Sequence, residues 1–387
     1  MTVTAAAPQA SVLPIEGAAS VPPRDWNRLA RRGFHLHRWH VVAEQCGWRP
    51  RHVGVAGADR LVAIVPAYLM DLDTHGNLHD LWLGPLAGAA ARWGCRLAPT
   101  LAVTAPFACA SDPLGDVDTL SETALHGVFD LLEARSRVDG ARAVVWPHVD
   151  ERHGRLIAVA RRRGYAATYA GASARLDVRW RNVEEYVASR GKGARRTVRS
   201  ELRVFQHGDL RIETVEDFRA AVPGLEALHR AAFEARNGRA MALDPGFFAR
   251  LAAEPTAGLW AQLTWRGDQL VGASINLAAG GVMDGTFAAV AAGQRGTPVY
   301  YGDLIYEPVR IACAEGYAAI ELGPTALVPK VLRGARPYRR ITLVRGATPA
   351  LHAALAAWGR AVAAWTARKD RRRLETVGGW PAKDAAG

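Results

Sequence analysis

Apolar residues recur with helical and strand periods along most of the chain, and residues 300–334 show the pattern most clearly. Asp303–Glu315 is predicted to be a helix because its apolar residues lie three and four positions apart. Gly316 follows where a left-handed helix cap is favoured. Ala318–Leu322 is short and apolar, which predicts an inner strand, and Gly323-Pro324 ends it. The strand opens into a loop with a lysine and an arginine, which is a place to hold an anionic or carbonyl-bearing substrate. The alternative is a solvated basic loop, which the pattern alone favours.

Strand-like runs on either side of short turns predict two β-hairpins. The paired runs are His52–Ala56 with Leu61–Met70, and Leu259–Trp265 with Gln269–Ala278. Pro66 interrupts the second of these runs, so a bulge or kink is expected there. Val282–Ala288 is predicted to be a further strand.

An internal repeat relates the two halves of the chain. GADRLVAIVPAYL at 57–69 parallels RGDQLVGASINLA at 266–278, and both are a hairpin turn followed by an apolar strand. Residues 132–146 and 307–322 both read as a helix, a glycine and a strand. Residues 71–118, between the two pieces of the first copy, are predicted to be an irregular loop that binds a ligand or covers a site. The repeat predicts two related α/β domains with a binding site in the cleft between them.

The corresponding domain prediction has four parts. Residues 1–20 are expected to be a disordered tail, and residues 21–180 an N-terminal domain. Residues 181–348 are expected to form a C-terminal domain, followed by a helix and tail over residues 349–387.

Composition places the chain among ordinary globular proteins. Of its 387 residues, 49% are hydrophobic and 22% are charged. No apolar run approaches the roughly 20 residues of a membrane span, and the N-terminus lacks the basic start of a signal peptide. Four scattered cysteines argue against a disulfide framework and a zinc site. A cytoplasmic protein without an integral membrane segment is expected, and its oligomeric state stays open.

A net charge of +12 predicts an anionic partner such as nucleic acid or phosphate, although arginine is abundant throughout the chain. The densest basic run lies at residues 189–205. Its cations recur at three- and four-residue steps, so several share one helical face; the candidate phosphate ligands are Lys192, Arg195, Arg196 and Arg199. Gly191 and Gly193 precede them, at a helix start that favours anions. A solvated basic face and a phosphate site both stay open.

Two groups of histidines could form sites. His35, His37 and His40 lack the i, i+4 spacing of a helical zinc site, and no metal is predicted. His148 and His153 flank the acidic pair Asp150-Glu151, and the polarity of this segment favours an exposed turn over a catalytic role.

The order of elements from Pro22 to Arg345 resembles the GNAT acyltransferase superfamily, in its tandem-domain FemAB-like branch. The resemblance depends on the Lys192–Arg203 run, the hairpin with Leu270–Ala273, and the stretch from Tyr301 through Gly323 to Lys330 and Arg333-Gly334. It implies an α/β (α+β) fold of two tandem GNAT-like domains, each a mixed sheet flanked by helices.

The same resemblance implies an enzyme that transfers an acyl or aminoacyl group onto an amine. Aminoacyl-tRNA or acyl-CoA would be the co-substrate, with no tightly bound cofactor, and the acceptor an amine-bearing small molecule or cell-wall precursor. CoA-dependent members bind the pyrophosphate with the backbone N–H groups of a glycine-rich loop. The equivalent loop here, with Gly293 and Gly296, departs from that spacing, and Pro298 has no N–H. The departure favours tRNA as donor.

Lys330 matches the loop lysine of the family, and it is the first candidate to stabilise the developing oxyanion. Arg333 is the second. Asp303, Glu307 and Glu321 are the carboxylates near enough in sequence to act as base, and their pattern does not rank them. The alternative function is a catalytically degenerate relative that binds RNA or a cell-wall precursor.

Overall fold

The computed structural model describes residues 10–71, 98–238, 243–294 and 297–378. The chain divides into two compact units. Unit 1 consists of Met1–Ala30, Trp39–Gly171 and Arg339–Lys369, and unit 2 of Arg31–Arg38, Ala172–Tyr338 and Asp370–Gly387.

The elements are numbered in chain order. The strands are β1 Ser11–Ile15, β2 Arg49–Pro50, β3 His52–Ala56, β4 Leu61–Val65, β5 Ala67–Met70, β6 Thr100–Val103, β7 Leu114–Gly115, β8 Ala143–Asp150, β9 Ala166–Asp177, β10 Leu210–Val215, β11 Leu259–Arg266, β12 Gln269–Ala279, β13 Val282–Val290, β14 Ala319–Gly323 and β15 Arg336–Gly346. The α-helices are α1 Pro23–Asn27, α2 His37–Gln45, α3 Glu122–Val138, α4 Gly154–Arg162, α5 Val183–Ala188, α6 Lys192–His207, α7 Val222–Asn237, α8 Phe247–Ala252, α9 Pro298–Tyr301, α10 Glu307–Glu315, α11 Leu327–Leu332 and α12 Pro349–Glu375. A π-helical turn, Gly302–Tyr306, joins α9 to α10.

Unit 1 contains two sheets. One is antiparallel, in the order β1-β3-β4-β7. In the other, β2, β5 and β6 are antiparallel neighbours, β6 pairs parallel with β8, and β8 pairs antiparallel with β15. Pro66 separates β4 from β5, so the predicted kink is where the chain passes from one sheet to the other. Phe129 of α3 and Trp146 of β8 lie in the core of this unit.

Unit 2 has the strands of one sheet, in the order β10-β11-β12-β13-β14-β9, with a similar parallel pair. Strands β10 to β13 are antiparallel neighbours, β13 pairs parallel with β14, and β14 pairs antiparallel with Ala174–Asp177 of β9. In both units one parallel pair therefore lies beside antiparallel strands, which confirms the predicted mixed sheets. Tyr306, Val309 and Ile320 belong to the core that joins α10 to this sheet.

Several predicted boundaries differ from the structure. Residues 1–20 were expected to be a disordered tail, yet β1 lies in this segment and pairs with all of β3, because its backbone completes an antiparallel edge. Residues 1–9 and 72–97 lie outside the described residues. Within the expected loop 71–118, β6 and β7 are strands.

Other differences concern the C-terminal third of the chain. Most of the segment 349–387, predicted to stand apart, belongs to unit 1 as far as Lys369. The helix predicted over Asp303–Glu315 starts earlier, at Pro298, and contains the π turn. Gly316 has the expected left-handed conformation, with φ 74°. Lys330 lies in the short helix α11 rather than in a loop. Among the described residues, no helix has the length and apolarity needed to cross a membrane.

Candidate active site

Strands β13 and β14 diverge after a short parallel contact. Their pairing ends at Asp284 and Glu321, while β13 continues to Val290. Near the end of β13, a register shift against β12 accompanies a positive φ of 49° at Phe287. Ligands of open α/β sheets bind at the carboxyl ends of strands, where neighbouring strands separate. We call this region the β13–β14 divergence.

Lys330 lies at the carboxyl end of β14. Gly323, with φ 73°, and Ala326, with φ 50°, turn the chain back so that α11 begins beneath the strand end. The Lys330 side chain is 1% exposed, and its Nζ donates hydrogen bonds to the carbonyl oxygens of Leu322 and Gly323. The Lys330 amino group is therefore buried at the β13–β14 divergence, where two strand-end carbonyl oxygens accept its hydrogen bonds.

Arg333 has a different environment from that of Lys330. Its guanidinium forms an ion pair with Glu201 of α6 and donates to the Tyr306 hydroxyl at 2.9 Å and the Pro329 carbonyl at 2.9 Å. It also lies 3.3 Å from the ring centroid of Tyr301. Its charge is balanced and its donors are used, so the arginine predicted as a second electrostatic group is a tether between α11 and α6.

Gly334 allows another group to approach its backbone closely, and in the structure that group is the Arg190 side chain rather than a ligand. Its φ is 95°, and a Cβ at this position would overlap the Arg190 guanidinium. Arg190 also lies over the rings of Trp180 and Tyr186, at 5.1 and 5.2 Å from their centroids. The segment after α11 is thereby held against the α5–α6 connection.

Two carboxylates face each other across the last parallel pair. Glu321 accepts hydrogen bonds from the Tyr338 hydroxyl at 2.7 Å and from Arg175 at 3.2 Å. Asp284 forms an ion pair with Arg32. Burial raises the pKa of Asp284 above its ordinary value; the Arg32 charge opposes this shift and the Glu321 charge adds to it. Glu321 is thus the predicted base candidate that lies directly at the β13–β14 divergence.

Sequence reasoning missed the partners of these carboxylates. Asp284 could have been noticed from the sequence, because it is a charged residue inside the apolar run of β13. Arg32 lies 252 positions away from it in sequence, and no local pattern could connect the two.

Asp303 lies within the π turn and is 1% exposed. Its Oδ1 accepts a hydrogen bond from the Thr264 hydroxyl at 2.6 Å, while its buried Oδ2 has no hydrogen-bond partner among the described residues. Burial raises the pKa of Asp303 to about 8; the nearby Glu307 adds to the shift and the Thr264 hydrogen bond opposes it. Because a carboxyl that is protonated at pH 7 is a poor proton acceptor, this geometry argues against Asp303 as the base. Glu307, in turn, is paired with Arg310.

The basic run forms α6, and its cations divide into two groups. Lys192, Arg196, Arg199 and Arg203 follow one another at steps of four, three and four residues, so they share one exposed face of α6. Among the described residues, none of these side chains forms an ion pair. We call this face the α6 stripe.

Arg195 does not belong to the stripe, because it donates to the carbonyl oxygens of Ala188 and Arg190. Added Cβ atoms at Gly191 and Gly193 would meet open space. Neither glycine is required by packing within the protein.

Two described N–H groups of the loop before α9 donate hydrogen bonds within the loop. Gly293 is in the left-handed region with φ 82°, and Gly296 lies outside the described residues. The Gln294 N–H donates to the Ala291 carbonyl and the Thr297 N–H to the Gln294 carbonyl, so these donors are used within the loop. Pro298 begins α9 without an N–H.

A separate polar cluster lies in unit 1, where an exposed turn was expected. His148 and Asp150 are buried residues of β8, and His148 has a φ of 57°. Burial, assisted by the Arg340 charge, lowers the pKa of His148 to about 4. His153 pairs with Asp118 at 2.7 Å. The polar residues are buried because β8 continues through this segment and pairs with β15.

Solved structures with similar folds were found. The FemX structure has a TM-score of 0.61 at 10% identity, over 87% of this chain and 98% of that one. L-PGS from Bacillus licheniformis has a TM-score of 0.52 at 12% identity, over 84% and 97%. A tandem GNAT protein from the clavulanic acid biosynthesis pathway has a TM-score of 0.47 at 14% identity, over 88% and 99%. No curated protein matches the chain. The mixed α/β fold of the chain is therefore similar to the folds of FemX and L-PGS.

The sequence itself matches one family, FemAB-like, described as peptidoglycan biosynthesis/recognition, over residues 18–377. This match and the fold support an acyl or aminoacyl transferase. The chain belongs to the FemAB-like family.

Proposed function

We propose that this protein transfers an aminoacyl group from aminoacyl-tRNA onto an amine of a cell-wall precursor, with Lys330 as the group that stabilises the oxyanion. The observation that carries the proposal is the buried Lys330 ammonium at the carboxyl end of β14. In the reaction, the amine nitrogen attacks the ester carbonyl carbon, and negative charge develops on the carbonyl oxygen. The bond to the ribose oxygen then breaks, and the proton lost by the amine ends on that oxygen.

Glu321 is the carboxylate that we assign to the proton transfer. It lies next in sequence to Leu322, whose carbonyl oxygen binds Lys330. Tyr338 and Arg175 hold its carboxylate in place. Glu321 is therefore a carboxylate oriented by neighbouring groups at the strand end that carries the Lys330 contact, and general base catalysis requires that it reach the amine proton of the bound acceptor.

The choice of donor depends on charge. The α6 stripe presents cations without carboxylate partners among the described residues, as a phosphate backbone requires. The Gln294 and Thr297 N–H groups of the loop before α9 donate within the loop, which disfavours the pyrophosphate of CoA. Acyl-CoA is therefore the second choice.

A transfer assay tests the proposal. Bulk tRNA charged with radiolabelled amino acids is mixed with a muramyl-pentapeptide precursor, and labelled product is followed. Lys330→Met is expected to lower the single-turnover rate by roughly 100-fold or more, as loss of an oxyanion donor does. Lys369→Met, on α12, is the matched control and should leave the rate unchanged.

Two outcomes contradict the assignment. An unchanged rate in a folded Lys330→Met variant would remove Lys330 from the chemistry. If the unaltered protein binds RNA and precursor but forms no product, the catalytically degenerate alternative is supported instead. If product forms from acetyl-CoA alone, acyl-CoA replaces aminoacyl-tRNA as the donor.

The α6 stripe has its own test. Arg196→Gln with Arg199→Gln should reduce the slope of log K against log salt for RNA by about 0.7 for each phosphate that the variant no longer neutralises. Filter binding between low and moderate salt measures this slope. An unchanged slope would show that the stripe does not bind phosphates.

A further inference from the structure

A cavity of about 460 Å³ lies in unit 2 beside the α6 stripe. Its apolar lining comes from α5, α6, β10 and the π turn and consists of Val183, Val187, Leu202, Phe205, Ile212 and Tyr306. The volume falls within the range of small-molecule sites, about 300–1,000 Å³. Aliphatic side chains make up most of these walls, and flexible hydrocarbon is the ligand type that such walls favour.

The polar rim of this cavity is not symmetric. Arg310 also lines it, but its guanidinium is paired with Glu307 at 2.6 Å. Arg199 and Arg203 line the cavity one helical turn apart, and neither forms an ion pair among the described residues. Glu184 of α5 also lines the cavity, so the rim carries one further carboxylate beside the two guanidinium groups of Arg199 and Arg203, and positive charge remains in excess there.

We infer that this cavity binds a membrane lipid phosphate, with the hydrocarbon chain against the apolar walls and the phosphate at Arg199 and Arg203. Guanidinium groups form strong, charge-assisted hydrogen bonds with phosphate oxygens. Nucleic acid is less well matched to the cavity itself, because base binding uses stacked aromatic platforms rather than aliphatic walls. Arg199 and Arg203 also belong to the α6 stripe that is proposed to contact tRNA, so a lipid phosphate at this end of the stripe would compete with RNA there.

Calorimetry with soluble probes tests the two parts of the ligand separately. The probe is decyl phosphate below its micelle concentration, compared with decyl maltoside and with inorganic phosphate. Decyl phosphate should bind at least tenfold more tightly than either, because only this probe carries both the chain and the charge. Equal binding of decyl maltoside would show that the arginines do not select the ligand. Equal binding of inorganic phosphate would show that the hydrocarbon chain contributes nothing to binding. Either result overturns the inference.

Matched variants on one helix locate the site. Arg203→Gln should weaken decyl phosphate binding roughly tenfold, as loss of a charged hydrogen bond does, whereas Arg196→Gln, outside the lining, should change it less than twofold. Gln206→Trp places bulk in the cavity from an exposed position and should abolish binding; Ser200→Trp, exposed on α6 but outside the lining, should not. Thermal unfolding of each variant shows that it is folded. Equal effects of Arg203→Gln and Arg196→Gln, or no effect of Gln206→Trp, would refute the location.

Two further arms identify the source of the phosphate. Vesicles of phosphatidylcholine with phosphatidylglycerol should sediment the protein, and those of phosphatidylcholine alone should not, with Gln206→Trp reducing the difference. Absence of sedimentation would exclude a membrane lipid. A single-stranded RNA 12-mer that displaces decyl phosphate in competition, and loses affinity in Gln206→Trp, would assign the cavity to nucleic acid instead. If Gln206→Trp loses decyl phosphate binding but keeps normal transfer activity, the lipid site is tested separately from the proposed transfer reaction.

Discussion

Replacement of Asp303 by asparagine should change how stability depends on pH. In the folded protein this carboxyl has a pKa of about 8, whereas an unfolded chain gives about 3.9. Between these values the folded state retains a proton that the unfolded state has lost. Stability therefore falls as pH rises through this window, and the loss is complete above the folded pKa.

The magnitude follows from the width of the window. Each pH unit corresponds to about 1.36 kcal/mol for one proton, so burial of this carboxyl costs about 4 kcal/mol at pH 7 and about 1.5 kcal/mol at pH 5. The Asp303→Asn variant keeps an oxygen acceptor for the Thr264 hydroxyl and has no proton to lose at this position. The difference in free energy of unfolding, variant minus unaltered protein, should therefore increase by about 4 kcal/mol between pH 5 and pH 8.

Urea unfolding at pH 5, 6, 7 and 8, followed by circular dichroism, measures this difference, and the contributions of all other titrating groups cancel in it. Asp268→Asn, in the exposed turn between β11 and β12, is the control and should give a difference that does not vary with pH. A constant difference for Asp303→Asn across the range would refute the assignment of a buried, protonated carboxyl.

Further predictions concern the tether and the glycines beside the site. Gly334→Ala should destabilise the protein by more than about 1 kcal/mol, because φ is 95° and a Cβ would overlap Arg190. Gly193→Ala, in open space within α6, should stabilise it by up to about 1 kcal/mol; thermal unfolding distinguishes the two, and similar effects would contradict the packing argument. Glu201→Gln should cost about 3–5 kcal/mol by leaving a buried Arg333 charge without its partner, and a negligible shift in urea midpoint would show that the ion pair does not hold α11.

Local pattern was sufficient for much of the fold. Alternation and turn residues predicted the β11–β12 hairpin, and the self-similarity of residues 57–69 and 266–278 predicted two related α/β domains. Gly316 could be predicted as a helix cap because a cap is recognised from the glycine and the few residues before it. The N-terminal tail was the weak point: β1 becomes a strand through pairing with β3, and its own composition gives little sign of this.

Lys330, Arg333 and Glu321 could be selected from the sequence by residue type and spacing, but their environments could not. Lys330 and Arg333 are three positions apart and both basic, yet one lies on strand-end carbonyls and the other is neutralised by Glu201 from α6. Asp303 and Glu321 are both buried carboxylates, yet Arg175 and Tyr338 bind Glu321, whereas only the Thr264 hydroxyl binds Asp303 among the described residues. Exposure and pairing depend on residues that are distant in sequence, so the sequence by itself determined which groups are available, and the tertiary structure decided the partners and burial of each.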